Sequence, residues 1–268
     1  MSKKNKKKRT AGDVIRTIIM FAALAVFLFS AAQLAKIFLE YKKGTDEYNR
    51  VREYVTTTEP EEETQEPLEG EEMPKPTPPQ VDWANLKAIN EDIIGWIQIE
   101  GTEISYPIVK GIDNSYYLKH TFEKNSNAAG AIFIDYTNRS DFQDCNTLIY
   151  GHNMKNGSMF GQLKKFTENE DAFNKSRYFW IFVPGKAYRY EIISAYTTSV
   201  NSDTYTLFKG PGEEYLKYLS TIKGYSELKQ ETADTNIKDK IITLSTCTGN
   251  EATRYVVQGK RVDTIDTK

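Results

Sequence analysis

The sequence predicts a mainly β fold, a barrel or a sandwich, and three observations carry that expectation. Eight short β-patterned stretches follow one another between residues 95 and 262; turns rich in Gly, Asn, Asp and Ser separate them at close spacing; and only two stretches of the same region, with a third just ahead of it, show helical spacing. A βαβ repeat would need a helix after each strand. The roughly 188 residues from 81 to 268 suit one such domain, and no internal repeat of about 20 to 50 residues is present.

The elements follow in order. Residues 1–16 carry Lys3, Lys4, Lys6, Lys7, Lys8, Arg9 and Arg16, and the 19 residues from Thr17 to Ala35 carry no charge. At 1.5 Å per residue that run is roughly 29 Å long, near the hydrocarbon thickness of a bilayer. We therefore expect a basic cytoplasmic terminus (1–16) and a single membrane-spanning signal anchor (17–39), with everything after it exported. A cleaved signal peptide is the rival, given Ser30, Ala31 and Ala32, although signal cores are usually only about 7 to 15 residues long.

Residues 40–80 read as a charged stalk. Its first part, 40–55, is expected to continue as an exposed helix. The rest holds eight glutamates and six of the nine prolines, and has too little apolar surface to offset the entropy of ordering.

The globular part is expected to start near Val81. Asp82 can cap a short helix that places Trp83, Leu86, Ile89 and Ile93 on one face. The strands are expected at 95–100, 104–109, 128–136, 146–152, 178–183, 188–196, 240–247 and 255–262, with helices at 159–166 and 213–222.

The net charge of −2 conceals a basic terminus followed by an acidic tract, and no basic patch interleaved with aromatics suggests a nucleic-acid surface. Cys145 and Cys247 are the only cysteines, His120 and His152 the only histidines. A disulfide between the two cysteines stays open, though one bridge is a poor framework for a domain of this size. There is no Cys-x-x-Cys, no His-x-x-x-His, no phosphate-binding glycine loop and no Gly-x-Ser-x-Gly elbow, so no metal or organic cofactor is expected.

Cys247 closes a β-branched run at the edge of a small-residue turn, where a thiol is both held and reachable. Its alternation shares a face with Ile241, Thr243 and Ser245. A cysteine is nucleophilic as the thiolate and needs a cation or an acid–base partner. Arg254 follows across the turn and can serve a thiolate and an oxyanion, or be a solvated strand arginine. His152 ends a strand whose alternation pairs it with Leu148 and Tyr150, so it is either an acid–base group or a histidine capping the core. His120 lacks a strand-end setting and reads as structural. The residues alone thus reach an exported β domain with a Cys-His-Arg site for acyl transfer.

Thr243-Leu-Ser-Thr-Cys247 with Arg254-Tyr-Val-Val resembles the active-site strand pair of sortases, the cysteine transpeptidases of Gram-positive surfaces. Asn146-Thr-Leu-Ile-Tyr-Gly-His-Asn-Met154, followed by Gly157-Ser-Met-Phe160, resembles the segment that holds the sortase histidine. Gly95-Trp-Ile, Thr102-x-Ile-x-Tyr-Pro107, Asp113-Asn-Ser-Tyr-Tyr-Leu118, Gly130-Ala-Ile-Phe-Ile-Asp135 and the insert at about 200–239 are similar to the class B subgroup. The likeness covers nearly all of residues 82–262, though the Cys-to-Arg connection is short and has no acidic residue directly after the cysteine.

The resemblance implies an eight-stranded β-barrel with N-terminal helices and a helix-bearing insert before the cysteine strand, the catalytic domain being 81–268. It implies Cys247 as nucleophile, His152 as general acid/base, Arg254 as oxyanion or substrate stabiliser and Ser245 as a substrate contact, with Cys145 dispensable. The implied partners are secreted proteins bearing a C-terminal Pro-x-Thr sorting signal and an amine of a peptidoglycan precursor or a pilin. Two other readings stay open: a papain-like hydrolase, against which the His-before-Cys order counts, and a non-catalytic surface module tethered by its stalk.

Overall fold

The β-branched and aromatic runs close into a barrel of eight strands. The computed structural model describes residues 10–56 and 78–267. The acidic, proline-rich tract expected to be a stalk lies almost wholly outside the described residues, as does most of the basic terminus.

The chain divides into two units, Met1–Lys43 and Gly44–Lys268. Among the described residues one helix, α1 (Ala11–Arg52), is long and apolar enough to cross a membrane. Its apolar side chains from Ile18 to Phe38 are exposed. The second unit begins with the last turns of α1, then β1 (Val55–Thr56), β2 (Gln80–Val81), α2 (Trp83–Ile89), β3 (Ile93–Ile99) and β4 (Ser105–Val109). It continues through a 3-10 turn (Tyr116–Leu118), β5 (Ile132–Ile134), β6 (Asn146–Tyr150), α3 (Lys165–Glu168), α4 (Glu170–Lys175), β7 (Tyr178–Val183) and β8 (Lys186–Ser199). A second 3-10 turn (Asp203–Tyr205), α5 (Glu213–Gly224), β9 (Ile241–Cys247) and β10 (Thr253–Asp266) complete it.

The barrel order is β10-β8-β7-β3-β4-β5-β6-β9, and β9 returns to pair with β10. All neighbours are antiparallel except β4 with β5 and β6 with β9. Closure leaves no edge strand within the barrel. Asp82 caps α2 as expected, accepting the Asn85 N–H at 3.1 Å.

In β9 both faces are covered, and Ile241 to Thr246 are all buried. The face of Ile241, Thr243 and Ser245 lies under the insert. Ile241 packs with Tyr215, Tyr218, Leu219 and Ile222 of α5, and Thr243 Oγ1 donates to Asn146 Oδ1 at 2.8 Å. The insert is therefore a second layer laid over the cysteine strand.

Four expectations change. The end of α1 is not an exposed helix, because Gly44, Glu47, Tyr48 and Val51 are buried, and the folded unit starts well before Val81. The strand expected at 128–136 shrinks to 132–134. Gly130 sits at φ +56°, and residues 127–131 turn back to bond 117–119, spending the N–H groups a longer strand would need. The helix expected at 159–166 begins only at Lys165, since Met159 at φ +54° is left-handed and cannot open a right-handed helix. Finally, β6 ends at Tyr150, so His152 stands beyond the strand.

Leu219 is fully buried between α5 and the sheet. Leu219→Ala is expected to cost about 3 kcal/mol, read as a lowered denaturation midpoint of the full chain in detergent.

Candidate active site

Register brings the predicted residues together. β9 and β10 form a hairpin in which Cys247 and Arg254 are direct partners. Residues facing each other across an antiparallel pair project to the same side, so thiol and guanidinium share one. The turn between them is tied by the Thr248 and Thr253 hydroxyls at 2.6 Å and by Asn250, whose side-chain oxygen accepts the Ala252 N–H at 2.9 Å.

β6 lies parallel to β9, with Tyr150 opposite Ser245. Two residues further along each strand come His152 and Cys247. The Gly151 N–H donates to the Ser245 carbonyl at 3.2 Å, continuing the ladder one step beyond the strand. Asn153 Nδ2 then donates to the Cys247 carbonyl at 2.8 Å, clamping the histidine loop to the end of the cysteine strand. Gly151 allows the close approach: a Cβ there would stand 2.4 Å from Ile132 Cδ1.

The imidazole has a defined tautomer. Its Nε2 stands 2.7 Å from the Leu118 carbonyl oxygen, which can only accept. Nε2 therefore carries a proton, and Nδ1 is left for the thiol of Cys247. The hydrogen bond from His152 is the main cause holding the Cys247 thiol below its ordinary range; burial opposes it, and the Arg254 and His152 charges add to the lowering. The same bond raises the His152 imidazole against the cost of its own burial, with the Leu118 carbonyl assisting. Thiolate and imidazolium stabilise each other.

Arg254 Nη1 donates to the carbonyls of Glu251 at 3.0 Å and Thr253 at 2.8 Å. These two bonds hold the guanidinium at the mouth of the hairpin. Cys247, His152, Arg254 and Ser245 all line one groove, together with Asn114, Leu118, Phe133, Tyr150, Gly151 and Thr246. Among the described residues, no group of three His, Cys, Asp or Glu side chains could hold a metal ion.

Ser245 is buried in the groove wall, its Oγ 3.0 Å from the Tyr205 hydroxyl. Tyr205 comes from the insert, in a stretch without strong periodicity, and nothing in its spacing marks it. Asp135 holds two other wall residues, accepting from Asn114 Nδ2 at 2.7 Å and from the Tyr150 hydroxyl at 3.0 Å. The Thr246 hydroxyl is buried and finds no partner among the described residues.

His120 stacks on Tyr116 at 4.1 Å, with Nδ1 2.8 Å from the Tyr116 carbonyl, and takes no part in the groove. Cys145 and Cys247 are both free, which removes the disulfide alternative. Cys145 is sealed beneath α5, and burial pushes its thiol up. Iodoacetamide at neutral pH is expected to give a single rapid adduct on Cys247, located by peptide mass spectrometry. With His152→Ala the half-rise of the alkylation rate is expected to move to higher pH, because the main cause lowering the thiol is gone.

Comparison with known proteins gives the family. The family profile described as Sortase domain matches residues 97–262. Sortase B of Listeria monocytogenes is 39% identical over 184 residues, covering 66% of this chain and 73% of its own. The structure of Clostridium perfringens sortase B is similar with a TM-score of 0.61 and 39% identity, over 67% of this chain and 99% of that one. A Bacillus anthracis sortase B structure reaches a TM-score of 0.67 at 33% identity, over 85% of this chain and all of that one.

Proposed function

The chain belongs to the sortase family and is a class B-like cysteine transpeptidase, and from that premise we propose how its groove performs the reaction and on what. The observation that carries the proposal is the convergence of Cys247, His152 and Arg254 on one groove, where the imidazole and the guanidinium together hold the thiol below its ordinary range.

Cys247 is the nucleophile. Its thiolate attacks the carbonyl carbon of a threonine in a Pro-x-Thr sorting signal at the C-terminus of a secreted protein. The C–S bond forms as the carbonyl π pair moves to oxygen. Arg254 faces Cys247 across the hairpin and donates to that oxyanion, a group charged only after attack, so the contact strengthens on the way to the transition state. On collapse the C–N bond breaks and His152 gives its proton to the departing amine, leaving a thioester. An amine of cell-wall peptide or pilin then attacks the thioester, His152 accepts its proton, and the Cys247 thiolate leaves. Water takes the amine's place slowly when no amine is present. Ser245, hydrogen-bonded to Tyr205 in the wall, contacts the bound signal.

The N-terminal helix is long and apolar enough to cross a membrane. We place the basic segment 1–16 in the cytoplasm, the span at 17–39 and the catalytic residues outside. Sorting signals held by their own spans would then meet the enzyme in one thin layer, at raised effective concentration.

The test is cleavage of a fluorogenic Pro-x-Thr peptide by the full chain in detergent. Cys247→Ala is expected to abolish it, and turnover by that variant would overturn the assignment. Arg254→Ala is expected to lower kcat by about 10² to 10³, whereas Cys145→Ser should retain wild-type turnover.

A further inference from the structure

The mechanism leaves the last turns of α1 without a use, yet they bury two polar side chains. Glu47 is 4% exposed and Tyr48 3%. The Glu47 carboxylate accepts from Thr121 Oγ1 at 2.8 Å, the Glu123 N–H at 3.0 Å and Asn125 Nδ2 at 3.1 Å. The Tyr48 hydroxyl donates to the Gly130 carbonyl at 2.6 Å and accepts the Phe122 N–H at 3.2 Å. Its ring stands edge-on to Tyr106 at 5.2 Å. Gly44 lets the helix come close, since a Cβ there would lie 3.1 Å from Asn127 Oδ1.

All of these hydrogen bonds, and the close approach at Gly44, fall on one loop, residues 117–131. The loop is closed at its base by the Ala131 N–H on the Tyr117 carbonyl, 2.9 Å, and by the Asn127 N–H on the Lys119 carbonyl, 3.0 Å. Leu118, inside that base, supplies the carbonyl that receives the His152 Nε2 proton. Gly130 closes the gap between the two. A Cβ on it would lie 3.0 Å from both the Leu118 oxygen and His152 Cδ2, and 2.6 Å from the Tyr117 oxygen. The carbonyl that Tyr48 pins therefore belongs to the residue against which the imidazole edge rests.

We propose that Tyr48 is a positioning residue for His152: its hydroxyl, bridging Phe122 and Gly130, fixes the 117–131 loop where the Leu118 carbonyl meets the imidazole, while Glu47 anchors the same loop through Thr121, Glu123 and Asn125. The catalytic unit thus begins on α1, ahead of the acidic tract. This rests on His152 being the acid–base group. Losing the hydroxyl breaks two buried hydrogen bonds and leaves the Gly130 carbonyl and the Phe122 N–H unpaired, and a small displacement of a proton-transfer group costs rate far more than binding.

The test uses the full chain in detergent with Tyr48→Phe, which keeps the ring against Tyr106 and removes only the hydroxyl. Its kcat on the peptide is expected to fall about tenfold with KM within about twofold, and the pH dependence of Cys247 alkylation is expected to shift upward. Val51→Ala, a buried apolar change on the same helix with no side-chain hydrogen bond to lose, should lower the melting temperature with kcat unchanged. Glu47→Gln should reproduce the Tyr48→Phe pattern more weakly. A Tyr48→Phe enzyme that melts earlier but keeps the wild-type kcat and alkylation profile overturns the proposal, as does a kcat loss matched by Val51→Ala. Either result with an inactive Cys247→Ala sinks only the positioning role; turnover by Cys247→Ala sinks the reading beneath it.

Discussion

The parallel pairing of β6 with β9 is the constraint on which the site depends. Parallel neighbours cannot be joined by a tight turn, so residues that face each other across such a pair come from distant parts of the chain. Here the pairing sets Tyr150 beside Ser245, and the backbone continues in step until His152 reaches Cys247. A slip of one residue would turn the imidazole to the opposite face. The Asn153 side chain on the Cys247 carbonyl guards against it just past the strand end, where ladder bonds run out.

Electrostatics in the groove follow from partial burial. A thiol wholly removed from water resists ionisation, as Cys145 beneath α5 does. Cys247 is half-buried, enough for the imidazole and the guanidinium to act through little solvent and not enough for desolvation to win. The two cysteines are the same group with opposite outcomes, and their neighbours decide between them. Arg254 is spared the entropy of searching, because two backbone carbonyls of its own hairpin hold one end of the guanidinium.

Beneath the insert a buried polar network ties the cysteine strand to its cover. Asn146 Nδ2 reaches the Thr204 and Thr206 carbonyls; Gln258 Nε2 donates to Thr243 and to Tyr218; and the Tyr218 hydroxyl donates to Thr204. Each bond contributes about 1 kcal/mol net, yet an unpaired buried partner costs more than that. The network therefore specifies one seating of the insert, and that seating carries Tyr205 to Ser245 in the groove wall. Packing energetics and site geometry meet at this point.

The sequence by itself determined the elements and the chemistry-bearing types. β-branched runs marked most strands, an uncharged run marked the apolar helix, and Cys247, His152 and Arg254 stood out because the chain has so few cysteines and histidines and because a likeness to sortases supported them. These features are local, written in periodicity and composition. Tertiary structure alone decided what depends on contacts between distant segments. It decided that Glu47 and Tyr48 are buried on the 117–131 loop, though their own stretch reads as charged and solvated. It decided that strand 128–136 is cut short by a left-handed Gly130, and that Leu118 lends its carbonyl to the imidazole. A backbone carbonyl has no side-chain signature, and a charged helix face reads the same whether water or a loop of hydrogen-bond donors covers it. Such roles are set by the partner, and the partner is known only once the barrel has closed.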